Sequence, residues 1–331
     1  MRLLITGGAG FIGSNLLHLI ADEPAIEHLV CLDALTYAGR PENLAGLESR
    51  PHYHFEHIDL RHADAVAGAV RRHAITHVAH LAAESHVDRS ITGPADFIHS
   101  NITGTFHLIE ACRAAWGDHA DPDRHRFLHV STDEVFGSLG PDDPPFSIDT
   151  PYRPRSPYAA SKAAADHLVR AAANTYGLPA LVTNCSNNYG PRQYPEKLIP
   201  VVIQAALARK PIPVYGRGAN VRDWLYVDDH CRGLWQALTT GQPGATYLFG
   251  GGWECSNLEL VTRLCDLIDQ LAPHPEGPVA DLITFVTDRP GHDFRYSIDA
   301  APTTAALGWT PRHNPDTALR KTVEWYCGGT P

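Results

Sequence analysis

The stretch Arg2-Leu3-Leu4-Ile5-Thr6-Gly7-Gly8-Ala9-Gly10-Phe11-Ile12-Gly13 decides the fold. Residues 2–6 are an apolar run of strand length, and Asn15, Leu16, Leu17 and Ile20 then follow at helical spacing. Strand, glycine turn and helix together form the opening of a dinucleotide-binding unit. The glycines at Gly7, Gly10 and Gly13 let backbone approach a pyrophosphate, and the N–H groups and dipole of the following helix favour its charge. The gap from Gly7 to Gly10 is one residue longer than in the GxGxxG fingerprint, and taken alone the pattern also fits an ordinary tight turn.

Outward from this opening, a second strand over 28–32 ends at Asp33, twenty residues past Gly13. An acid there accepts from ribose hydroxyls and repels the extra phosphate of NADP, so the expected cofactor is NAD. The alternation continues with a strand over 53–58 leading to Asp59 and Leu60, expected near the adenine, and a helix over 63–73. A strand over 76–81 then delivers Leu81, Ala82, Ala83, Glu84 and Ser85, mostly small residues where a strand end passes under a cofactor. A helical pattern over 101–116, a strand from Phe127 and another over 179–183 complete a run of βα units. The expected fold is α/β: a Rossmann-type doubly wound parallel sheet with a smaller, interleaved C-terminal α/β substrate domain. The sequence assigns 1–185 to the NAD-binding domain, with a return near 213–250, and 186–212 with 251–331 to the substrate domain, including helices over 257–271 and 316–326.

Composition narrows the function. A chain of 331 residues with 44% hydrophobic residues can bury a large core, and a formal charge of -10 argues against nucleic acid or an anionic membrane surface as partner. No apolar run approaches the ~18 residues of a membrane span. Seven scattered cysteines without a CxxC pair point to reduced thiols and a cytoplasmic protein. None of the 20 histidines falls in an HExxH pattern, and His52, His54 and His57 are expected on a solvated strand, so no metal site is expected.

The candidate chemistry is concentrated in Phe127-Leu128-His129-Val130-Ser131-Thr132-Asp133-Glu134-Val135-Phe136. A buried strand here ends in two hydroxyls and two acids, where parallel sheets place their sites. Strand alternation would point Asp133 and Glu134 apart, so the chain has to curl after Ser131, helped by Gly137 and Ser138. By itself an Asp-Glu pair also fits an exposed acidic loop. Further on, Ser156 and Pro157 read as the cap and first residue of a helix, which sets Tyr158 and Lys162 four apart on one face. An ammonium beside a phenol of pKa about 10 favours the phenolate, a usable base. Lys197 and Arg222 could neutralise a diphosphate, and a second basic cluster follows between Asp288 and Arg295. The helices over 101–116 and 156–176 carry small and apolar residues on more than one face, which predicts a homodimer.

With these residues in hand, the chain resembles the extended short-chain dehydrogenase/reductase family, in its nucleotide-sugar dehydratase branch, from Met1 to about Tyr326. The motifs are LAAESHVDRSI from Leu81, STDEV from Ser131, NCSNNYGP from Asn184, PEKLIP from Pro195, RDWLYV from Arg222 and RPGHD from Arg289. Phe136 and Phe294 depart from the family's common Tyr and Arg, and the segment 140–154 is short. The resemblance implies NAD contacts from Phe11, Ile12, Asp33, Ala34, Leu35, Thr36, Asp59, Leu60, Leu81, Ala82, Ala83, Glu84, Ser85, Ser100, Tyr158, Lys162 and Asn188. It implies nucleotide-sugar contacts from Ser85, Thr132, Asn187, Lys197, Leu198, Pro213, Val214, Tyr215, Arg222, Asn257, Asp288, Arg289, Pro290, Gly291 and His292. The implied reaction is dehydration of dTDP-glucose or UDP-glucose: C4 oxidation, loss of water across C5 and C6, then C6 reduction. Thr132, Asp133, Glu134, Tyr158 and Lys162 would be the catalytic residues. A nucleotide-sugar 4-epimerase or a UDP-glucuronate decarboxylase shares the glycine turn and YxxxK, but neither needs an acid/base pair to expel a C6 hydroxyl. A silent NAD-sensing or scaffold protein would show damaged catalytic positions, and all are present.

Overall fold

The computed structural model describes residues 1–117 and 120–328. The last three residues of the expected substrate domain, 329–331, lie outside the described residues.

Seven parallel strands form the large sheet: β1 (Arg2–Thr6), β2 (His28–Asp33), β3 (Tyr53–His57), β4 (His77–His80), β5 (Arg126–Thr132), β6 (Ala180–Cys185) and, much later, β10 (Thr246–Phe249). Their order is β10-β6-β5-β4-β1-β2-β3, which reverses direction between β1 and β4 and leaves a crevice at the carboxyl ends of those strands. On one face α1 (Phe11–Ile20) and α8 (Val227–Thr240) bury Leu16, Leu17, Ile20, Leu234 and Leu238 against Leu3, Ile5 and Leu29. On the other, α2 (Ala63–Arg72), α5 (Gly104–Trp116) and α6 (Pro157–Tyr176) cover Leu4, Val30, Val78 and Phe127 with Val66, Leu108, Cys112 and Val169. Both faces are therefore covered, which is why these strands read as continuous apolar runs.

The smaller part holds β7 (Asn187–Tyr189), β9 (Val221–Tyr226) and β11 (Glu254–Ser256) in one sheet, and β8 (Ile212–Tyr215) with β12 (Ile283–Val286) in another. Helices α7 (Leu198–Leu207), α9 (Asn257–Leu271) and α11 (Pro315–Cys327) pack over them around Ile203, Trp224, Leu264 and Val323. The short α10 (Ala301–Leu307) lies against β10. The return to the large sheet is carried by α8 and β10, so it begins at Val227. The stretch 213–226, expected with that return, pairs in the small sheets because its alternating strands face α7 and α9.

One further difference concerns a helix. The pattern read as a helix over 101–116 begins earlier, in α3 (Val87–Thr92), α4 (Pro94–Phe97) and a π-helical stretch over Ile98–Thr103 that runs into α5. Such wide turns insert an extra residue and re-aim side chains, which 3.6-residue periodicity does not register. All seven cysteines are free thiols, six of them buried. No helix among the described residues is long and apolar enough to cross a membrane.

Candidate active site

A cleft of about 310 Å³ lies over the carboxyl ends of the strands, at the reversal of strand order. Its first wall is the glycine turn. Gly7 has φ +71°, and a Cβ there would stand 2.7 Å from Ala82; a Cβ on Gly13 would stand 2.2 Å from the Gly7 carbonyl oxygen. Only glycine allows the turn to close this tightly between β1, β4 and α1. No side chain among the described residues caps α1, and Gly10, Phe11, Ile12 and Gly13 at its start line the cleft. Uncapped N–H groups beside a turn without side chains suit a pyrophosphate. Asp33 closes this wall. Its carboxylate accepts from the N–H groups of Ala9 (2.9 Å) and Leu35 (2.8 Å), and burial raises its pKa against those donors. The residues present thus fit a dinucleotide.

The floor carries the reactive groups. β5 runs straight through Thr132, then the chain curls into a single 3-10 turn, Asp133–Phe136. Thr132 caps it, its Oγ1 accepting from the Glu134 N–H (3.3 Å), and Gly137 (φ +93°) ends it. Both acids consequently line one cleft, as the sequence required. Phe136 points the other way, packing on Phe146 and Tyr152. Asp133 is 2% exposed and its Oδ2 has no partner among the described residues. Burial, then the neighbouring charges of Glu134 and Asp223, push its pKa well up, which favours its neutral form. Burial also raises Glu134, against the attraction of Lys197 and Arg222. Two adjacent carboxyls with different surroundings can serve as donor and acceptor.

Ser156 caps α6 as expected, its Oγ accepting from Ala159 N–H, and the helix carries Tyr158 and Lys162 into the cleft. Lys162 Nζ donates to the Val130 carbonyl at 2.9 Å, which ties α6 to β5. The sequence reading expects a phenol made more acidic by this lysine. Instead burial, followed by Glu134 and Cys185, pushes Tyr158 well above its ordinary range. The ammonium is itself buried and weakened by desolvation, so more positive charge is needed to arm the tyrosine.

Of the expected cofactor residues, all but Leu35 line the cleft; Leu35 has φ +48° and packs against the core behind the turn. Asn187, Ser85 and Lys197 line it too, with Lys197 Nζ donating to the Ser85 carbonyl at 2.8 Å. Leu198, Arg222, Asn257, residues 213–215 and residues 288–292 are not walls of this cleft. They do not scatter, however. Tyr215 meets His292 edge to face (ring centroids 6.3 Å apart), Arg289 lies over the Tyr215 ring and pairs with Asp88, and both Arg222 and Arg289 act electrostatically on Glu134. The stretch 184–198, which the sequence marks as too polar for core and suited to grip a sugar, also brings Gln193, Tyr194 and Glu196 to the cleft, though none of the three was singled out; Glu196 accepts from Tyr37 OH at 3.0 Å. It stands in the PEKLIP motif next to Lys197, a signal that was available. Asp223, buried beside the quoted Arg222, was also passed over; burial lifts it to about 6 against the N–H groups of Trp253 and Gly251.

Fold and cleft together define a dinucleotide-dependent enzyme of nucleotide sugars. The chain belongs to the GDP-mannose 4,6-dehydratase family, whose model matches residues 4–322. More particularly, it is 51% identical to a dTDP-glucose 4,6-dehydratase of Escherichia coli over 100% of this chain and 94% of that one. A solved dTDP-glucose 4,6-dehydratase of Streptomyces venezuelae with NAD bound superposes with a TM-score of 0.90 at 43% identity, covering 99% of this chain and 98% of that one. A UDP-glucose 4-epimerase of Thermus thermophilus in complex with NAD gives 0.87 at 29% identity, covering both chains fully.

Proposed function

We propose that this chain catalyses the NAD-dependent dehydration of dTDP-glucose to dTDP-4-keto-6-deoxyglucose. The observation that carries the reading is the turn after β5, which sets Asp133 and Glu134 in the same cleft as Tyr158 and Lys162. When bound, NAD supplies a hydride acceptor at C4, a hydride donor at C6 and, in its oxidised form, a positive charge. Tyr158 takes the C4 hydroxyl proton, with Lys162 and Thr132 steadying the phenolate. The C4 ketone acidifies the C5 proton, which Glu134 removes; once C6 is reduced, a proton is returned to C5. Asp133, whose neutral form its burial favours, protonates the departing C6 hydroxyl. Lys197, Arg222 and the Tyr215–His292 cluster hold the nucleotide sugar, and Gly7, Gly13 and Asp33 hold the cofactor. The epimerase shares the fold but needs no C5/C6 acid/base pair, and that pair decides between the two.

Supporting this reading, we place the working protein in the cytoplasm, where free thiols persist, as a homodimer of two copies of this chain. Ile98, Phe106 and Tyr176, on and beside α5 and α6, are about half exposed and form the apolar surface a second copy would cover. The domain division follows the two cores, with the cofactor on the large sheet and the sugar nucleotide on the small ones. Incubating the purified protein with dTDP-glucose and with UDP-glucose, following the 4-keto product by mass, tests the assignment. Fast turnover of dTDP-glucose supports it; a C4 epimer without loss of water overturns it.

A further inference from the structure

Beneath the reactive tyrosine and lysine lies a carboxylate that the reaction above does not use. Asp166 follows Lys162 by one helical turn on α6, so the two side chains share a face. It is completely buried, and three groups from other elements converge on it. His129 Nε2 of β5 lies 3.0 Å from Oδ1, Tyr152 OH donates to Oδ2 at 2.7 Å, and Asn184 Nδ2 of β6 donates to Oδ2 at 3.3 Å. Behind Tyr152, Arg170 donates to its phenol oxygen at 2.8 Å. All three groups on the carboxylate can act as donors, and a cradle of donors is built for an anion rather than a protonated acid.

The surroundings of Lys162 give this anion a purpose. The titratable side chains acting on the ammonium come from every strand packed beneath it: His80 on β4, His129 on β5 and Cys185 on β6, besides Asp166 on its own helix. Burial holds both imidazoles neutral and pushes the thiol up, so none of those three carries charge at pH 7. His129 Nδ1 has no partner among the described residues, which fits a neutral ring with its proton on Nε2, aimed at Asp166. Asp166, by contrast, stays ionised: its burial is outweighed by the hydrogen bond from His129, the charge of Lys162 and the Tyr152 hydroxyl. A buried ammonium whose one acceptor among the described residues is a carbonyl is poorly compensated, and Asp166, one turn along the helix, is the carboxylate whose charge favours it.

We propose that Asp166 is a positioning residue that keeps the Lys162 ammonium charged at the working pH, its own charge held in place by His129, Tyr152 and Asn184. It touches neither substrate nor cofactor; it acts on Tyr158 through Lys162. The proposal rests on the catalytic reading of Tyr158 and Lys162, but its test needs no substrate. The chain has four lysines, Lys162, Lys197, Lys210 and Lys321, so protein labelled with ¹³C at lysine Cε gives a tractable NMR spectrum. Lys162→Arg assigns the Lys162 signal. In Asp166→Asn the Lys162 titration midpoint should fall by at least one pH unit while those of Lys210 and Lys321 stay put, and Asp166→Glu should restore it. An unmoved Lys162 midpoint in folded Asp166→Asn overturns the proposal. The parent protein tests it independently of how the variants fold: a Lys162 midpoint below pH 7 would mean the ammonium is not maintained, and the proposal fails. Failure of the dehydratase reading would instead appear only in turnover.

Discussion

The wall of the cleft formed by β1, β2 and α1 is mostly backbone and small side chains, whereas the wall that follows β6 is made of polar ones, Asn187, Gln193, Tyr194, Glu196 and Lys197 among them. On the first wall, contact is set by what is missing: a Cβ at Gly7 or Gly13 would collide with neighbouring backbone. On the second, Lys197 lines the cleft and, with Arg222 and Arg289 from outside it, acts on Glu134 with positive charge supplied by side chains that have rotamers to lose. The first wall is complete before anything binds, which suits a cofactor that is regenerated each cycle. The second is set for a ligand that must enter and leave.

If the contrast is right, the largest effects come from the floor where the walls meet. Glu134→Gln should cut turnover by about 10²- to 10⁴-fold, the range for loss of a general base, while C4 oxidation continues. Reduced cofactor should then accumulate, visible near ~340 nm, and Asp133→Asn should behave alike. With parent enzyme, C4-deuterated substrate should give C6-deuterated product, and reaction in heavy water should label C5. Deuterium lost from C4 to solvent would break the assignment.

Next in size is the backbone wall. Gly13→Ala puts a methyl against the Gly7 carbonyl, so the turn must open. The expected outcome is protein purified without NAD and a stability loss of about 1–3 kcal/mol, read by urea unfolding. The side-chain wall should respond differently: Lys197→Met removes a charge without crowding, raising KM roughly tenfold, the value of one charge-assisted contact, with unfolding unchanged. A Lys197→Met variant that unfolds like Gly13→Ala would erase the distinction between the walls.

The smallest effect concerns pH. Burial lowers His129 to about 4 and His230 to about 3, below the unfolded value of about 6.5. Stability from these neutral rings is complete above pH 6.5 and is lost as pH falls toward 4, by at most about 1.4 kcal/mol per pH unit for each ring. Asp223, lifted to about 6, runs oppositely: its contribution is present at low pH and lost as pH rises through 6. The urea midpoint should therefore fall on acidification below pH 6.5, and His230→Gln should flatten that fall.

The same contrast explains what could be read from the chain. Glycine spacing, the distance to Asp33 and the Tyr158–Lys162 interval are local, so one element fixes each. The need for a curl after Ser131 was also legible, because two adjacent acids cannot share a site on a straight strand. Tyr215 and His292 meet only through the pairing of β8 with β12, which no local period announces. Ser100 reaches the cleft from a π-helical stretch that begins ahead of the helical pattern read from Asn101. Asp166 stood four residues from Lys162, yet its importance depends on Tyr152 and Asn184 arriving from elsewhere.

Only Ser186 separates β6 of the large sheet from β7 of the small one, α8 begins at the residue after β9 ends, and β10 gives way to β11 within four residues. The chain is thus stitched back and forth across the catalytic cleft at three seams. A recombinant made with a relative at any single crossover would split the pocket between mismatched parents. Exchange of sugar preference within this scaffold, in nature or at the bench, therefore has to proceed by point changes along the second wall, because no cassette carries that wall away whole.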